Sequence, residues 1–90
     1  MSRQVNMGYQ QLAVSTAAAS LTVPNTANLA VICATGQNAR MRDDGTAPTA
    51  SAGLPLTTNQ PFTYDGELSR VQIIAEAGTA TVEILYYKVF

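Results

Sequence analysis

The chain has no histidine, a single cysteine and few charges. Without an imidazole there is no base to set beside a serine or a cysteine, so neither a Ser-His-Asp triad nor a Cys-His pair can be assembled, and an enzyme is not expected. One cysteine, Cys33, excludes an internal disulfide and a cysteine-cluster metal site. It lies in an apolar run and is expected to be a buried structural thiol. No apolar stretch approaches the ~18 residues a membrane span needs. The opening Met1-Ser2-Arg3-Gln4-Val5-Asn6-Met7-Gly8 lacks the apolar core of a signal peptide, so synthesis in a cytoplasm and no membrane partner are expected.

Charged residues make up only 12% of the 90 residues, five basic against six acidic for a net charge of −1, with no run of either sign. Nucleic-acid binding needs several clustered cations to neutralise phosphates, and these are missing. Apolar residues reach 47%. So weakly charged a surface is poorly protected against association, which points to part of it being covered by another protein. The other reading is that eleven threonines, with serines, asparagines and glutamines, keep the surface wet without charge.

What is present is strand-like. Residues 19–23 alternate apolar with Ser20 and Thr22, and Pro24-Asn25 ends them. Residues 29–34 are apolar on both faces, as in a central strand covered on both sides. Thr35-Gly36-Gln37-Asn38 then turns into residues 39–42, and this pair is predicted to be a hairpin. Residues 54–58 and 61–64 read as two short strands or one interrupted at Pro61. Asp65-Gly66 makes the next turn, residues 68–77 alternate with Ile74 as the exception, and Ala77-Gly78 turns into residues 79–90, the longest strand. That strand sets Val82, Ile84, Tyr86 and Phe90 on one face and Leu85, Tyr87 and Val89 on the other. An antiparallel strand with one wet face does not look like this, so Leu85, Tyr87 and Val89 are expected on an outer face that a partner or a second copy covers.

Turn signals about every ten residues and no helical stripe indicate an all-β fold: an antiparallel β-sandwich or small jelly-roll-like barrel of about seven to eight strands. Residues 1–18 are expected to be an N-terminal arm with a short strand around 9–15, and residues 19–90 a single β domain. The predicted core includes Leu29, Val31, Val71, Ile73, Val82 and Ile84.

Charge, turn residues and small polar residues concentrate only in residues 40–53, Arg40-Met41-Arg42-Asp43-Asp44-Gly45-Thr46-Ala47-Pro48-Thr49-Ala50-Ser51-Ala52-Gly53. Asp44-Gly45 is a strong tight-turn pair, and Pro48 and Gly53 keep the rest of the stretch out of regular structure. The two aspartates lack the alternating oxygen ligands and distal glutamate of a calcium loop, so no metal or cofactor is expected. Asp65 and Glu67 read as solvated carboxylates at a strand end, not an acid/base pair. Tyr86-Tyr87 with Phe90 reads as core or subunit contact before it reads as a stacking platform. Arg40 and Arg42, two apart on a strand, share a side; they are either solvated or paired with a partner's carboxylates. Arg40, Arg42, Asp43, Asp44 and Thr46 form one set of candidate contacts, and Leu85, Tyr87 and Val89 a second.

The Arg40-Met41-Arg42-Asp43-Asp44-Gly45-Thr46-Ala47-Pro48-Thr49 stretch, with Gly53 downstream and Tyr86-Tyr87 near the end, resembles small all-β structural proteins of tailed bacteriophages. In those an arginine-bearing strand, an Asp-Gly-Thr-x-Pro-Thr loop, a glycine and a tyrosine-rich closing strand recur. The likeness covers residues 19–90. It implies a virion component without enzymatic activity: a capsid decoration (cement) protein binding the major capsid protein, or a neck or tail subunit. Because closed symmetry is the default for homo-oligomers and several copies gain avidity, a homo-oligomer such as a trimer is expected. A carbohydrate- or receptor-binding module is the alternative of a different class.

Overall fold

The chain folds as one long hairpin wrapped into two sheets. The computed structural model describes residues 3–90 and contains eight strands: β1 (Gln4–Val14), β2 (Ala19–Ser20), β3 (Leu29–Thr35), β4 (Ala39–Arg42), β5 (Leu54–Leu56), β6 (Phe62–Tyr64), β7 (Gln72–Ala75) and β8 (Ala80–Val89). First-half strands pair antiparallel with second-half strands: β1 with β8, β2 with β7, β3 with β6 and β4 with β5. Two further seams, β3 with β8 and β4 with β7, close this ribbon into sheet A, ordered β1-β8-β3-β6, and sheet B, ordered β2-β7-β4-β5. This is the strand order of a jelly-roll sandwich.

Period-two alternation decides which side chains meet between the sheets. Sheet A contributes Val14, Ala30, Ile32, Ala34, Ala80, Val82, Ile84 and Tyr86, and sheet B contributes Ala39, Met41, Leu56, Ile73 and Ala75, all buried. Val71 joins them at 0% exposed from the residue before β7. Tyr86 is the largest buried side chain, and its hydroxyl donates to Gln10 Oε1 at 2.6 Å. The same Gln10 oxygen accepts the Thr22 backbone N–H at 3.1 Å, so one side chain satisfies the buried phenol and ties the segment after β2 to β1.

Several expectations change. β3 and β4 are not a hairpin: they lie in opposite sheets, and Gly36-Gln37-Asn38 carries the chain across. Asn38 fixes that crossing, its Oδ1 accepting from the Thr58 N–H at 2.8 Å and hydroxyl at 2.6 Å, and its carbonyl accepting from the Glu76 N–H at 3.0 Å. Residues 54–64 are likewise two strands in different sheets, with the crossing made through Asn59 at φ +63°. Residues 68–70 form a single 3₁₀ turn rather than a strand start.

Leu29 and Val31 are not core. β3 is central, yet Ala30, Ile32 and Ala34 face inward while Leu29, Val31 and Cys33 lie half-buried on the outer face, so Cys33 is not the fully buried thiol expected. The segment read as an arm is mostly strand: β1, at 11 residues longer than β8, pairs with β8 from Gln4 to Val14 and sends Val14 into the core. The first two residues of that segment lie outside the described residues. Phe90 is 70% exposed at the end of β8, its ring near the Arg3 and Lys88 cations.

Burial raises the Tyr86 hydroxyl to about 12, and burial aided by a hydrogen bond to Asp43 raises Tyr64 to about 12, from an ordinary 10.0. A phenol raised on folding adds stability that is fully present below pH 10 and is lost as pH rises from 10 through about 12. Ultraviolet titration is expected to show Tyr64 and Tyr86 ionising late, in step with alkaline unfolding, and one late ionisation fewer in Tyr86→Phe. Tyr64 and Tyr86 ionising near 10 in a folded chain would contradict this packing.

Candidate functional site

The two sets of candidate contacts fall on opposite faces. β4 belongs to sheet B, and its alternation turns Ala39 and Met41 inward and Arg40 and Arg42 outward. Arg40 is consumed internally: Nε donates to Glu76 Oε2 at 2.9 Å and Nη1 to the Gly53 carbonyl at 3.0 Å. Glu76 reaches it diagonally because Arg40 sits opposite Ile74 in the register. Arg42 makes a bidentate pair with Asp44, Nε to Oδ1 at 3.0 Å and Nη2 to Oδ2 at 2.5 Å. That pair and the Thr46 N–H, which donates to Asp44 Oδ1 at 3.3 Å, hold the Asp44 carboxyl down at about 2. Being well below the ordinary 3.8, it keeps the clasp closed in mild acid and opens it only as pH falls through about 2.

The rest of the β4–β5 loop is built as tightly. Asp43 accepts from the Tyr64 hydroxyl. Thr49 and Ala52 exchange two backbone bonds, at 2.8 and 3.2 Å, around Ala50-Ser51, and Pro48 is buried beneath. Gly53 has φ +139°, and a Cβ there would lie 3.1 Å from the Met41 carbonyl and 3.2 Å from Arg40 Cβ, so only glycine fits. Thr46 stays exposed. In the isolated chain the arginines therefore brace their own loop. Arg40→Ala is expected to cost about 1–3 kcal/mol, because two bonds of a half-buried guanidinium are lost and Glu76 is stranded. Arg42→Ala, at a more exposed pair, is expected to cost under ~1 kcal/mol. Equal losses in chemical denaturation would refute that difference.

Leu85, Tyr87 and Val89 lie on the outer face of sheet A, as the alternation of β8 requires, and register shows their neighbours. Tyr9, Leu85, Val31 and Thr63 form one row across four strands; Asn6, Tyr87 and Leu29 form the next; Gln11, Glu83 and Cys33 flank the first on its other side. Leu85 is 39% and Tyr9 59% exposed, both large for apolar side chains in a sheet. Glu83 is the one charged residue in these rows. Gln11 Nε2 donates to it at 3.0 Å and the Tyr9 hydroxyl also donates to it, which lowers its carboxyl and holds the ionised carboxylate within the face. Asn28 pins the end of β8, accepting from the Val89 N–H at 2.8 Å and donating to the Val89 carbonyl at 3.2 Å.

No family model matches this chain, and no curated protein or solved structure matches it either. Among the described residues there is no group of three or more His, Cys, Asp or Glu side chains able to hold a metal ion. Tyr9, Leu29 and Val31 join the outer face without being marked for it in the sequence. For β3, apolar on both sides, the sequence carries no signal of which side faces in; for Tyr9, exposure follows from pairing with Leu85.

Proposed function

We propose that this chain is a non-enzymatic structural protein of a tailed-bacteriophage particle, in the simplest case a decoration protein that binds the major capsid protein on the assembled head. The observation that carries the reading is the outer face of sheet A: apolar side chains in cross-strand rows over three adjacent strands, with a single carboxylate that the same face already satisfies. Interface centres are depleted of charge and rich in aromatic and aliphatic residues. The molecule measures 40 × 25 × 19 Å, so its broad face has room for the ~800 Å² per partner of a standard interface.

The Asp-Gly-Thr-x-Pro-Thr loop supports the same reading from the sequence side. Jelly rolls serve in viral capsids and in lectins alike, so the fold adds support by analogy only. What favours assembly over sugar binding is that the apolar residues lie in rows on a sheet face. The test is quantitative mass spectrometry of particles purified from the host that makes this chain. Copies in proportion to the major capsid protein are expected; a single ring's worth would move the protein to the neck or tail; none would overturn the virion reading.

A further inference from the structure

The sandwich has four sheet edges, and three are guarded. β2 has two residues, β5 has three with Pro55 in the middle, and β6 has three directly after Pro61. Short strands and prolines are how sheets avoid pairing with other chains. β1 is the exception. It has 11 residues with no charged residue and no proline, and one irregularity between Asn6 and Gly8. From residue 8 to residue 14 its register with β8 is unbroken, leaving seven consecutive residues of regular edge. The segment after β2 reaches β1 only through side chains: Thr22 N–H bonds to the Gln10 side chain, and Pro24 packs where a Gly8 Cβ would be. Neither contact uses the outward backbone groups of β1.

We propose that β1 pairs antiparallel with β1 of a second copy across a two-fold axis, joining the two A sheets into one of eight strands. The charge pattern selects this occupant. Isologous pairing sets a strand against itself, so any charged residue near the axis would meet its own copy, and β1 has none. The pairing also makes the Tyr9–Leu85–Val31 rows of both copies into one surface, so two contact faces are presented side by side and attachment gains avidity. Such an edge closes as a dimer, not as the trimer expected from sequence. Seven-residue edge pairing is a small interface, so the dimer is expected to dissociate on dilution. The inference does not depend on the virion reading, because its test needs no particle.

The experiment is sedimentation of the purified full chain over a range of concentrations, with hydrogen exchange on the same samples. A lone edge strand leaves alternate amides open to water; pairing covers them. The expected result is a concentration-dependent dimer in which the fast-exchanging alternate amides of residues 8–14 become protected as it forms. Gln11→Lys with Ala13→Lys, both at exposed positions, is expected to return a folded monomer with those amides open, while Leu85→Glu is expected to leave the dimer intact. A monomer at every concentration, a dimer whose alternate β1 amides exchange as in the monomer, or a dimer that survives the lysines would each overturn the proposal. Unchanged exchange at core amides in the lysine variant shows that loss of the dimer is not loss of the fold.

Discussion

Ile73→Ala is expected to destabilise the fold by about 2–5 kcal/mol, measured as a lower denaturation midpoint at unchanged slope. Ile73 is 0% exposed and lies inward on β7, flanked by Ala19 of β2 and Met41 of β4. Removing its branched side chain leaves a void between the sheets. Ala19 is too small to fill it, and Met41, unbranched and adaptable, fills it only in part. The matching control is Val31→Ala on β3, which alternation turns to the outer face, and its expected cost is under ~1 kcal/mol. A loss at Val31 as large as that at Ile73 would mean the outer face is buried in the isolated chain and the assigned register is wrong.

If the proposed virion role holds, Leu85→Glu is expected to leave folding nearly unchanged and to weaken attachment to particles lacking this protein by roughly 30-fold or more, the scale of an interface hot spot. Leu85 sits mid-row between Tyr9 and Val31, and a glutamate there would add a second carboxylate two residues from Glu83 on the same face. Covering that face would then strand an unpaired charge. Ser20→Glu, on the outer face of sheet B, carries the same charge to the other side and is expected to bind as the unaltered chain does. Binding of Leu85→Glu at full strength would remove the outer face of sheet A from the contact.

Much of the fold is legible in single residues because a strand reports its faces through alternation. In β8, Val82, Ile84 and Tyr86 against Leu85, Tyr87 and Val89 identified both the inner and the outer side, and the structure places them so. Alternation is silent where both sides are apolar, which is why the pattern alone assigns Leu29 and Val31 to the core while the structure turns them outward. It is equally silent about which strand a turn leads to. Thr35-Gly36-Gln37-Asn38 has the composition of a hairpin turn, but its chain direction at the end of β3 and the bonds of Asn38 to Thr58 and Glu76 send it to the other sheet.

The all-β class, the strand segments from β2 onward to within a few residues, the tight loop at Asp44-Gly45 and the doubly apolar last strand are all legible in the chain's local pattern. These depend on local backbone preference and period-two patterning, which neighbouring residues carry. Long-range packing alone makes 4–14 a full edge strand, gives Arg40 to Glu76 and Gly53, and sets Tyr9, Leu85 and Val31 in one row. Each of these depends on register between segments far apart in the chain, and a register is the outcome of packing two whole sheets together, which no single segment encodes.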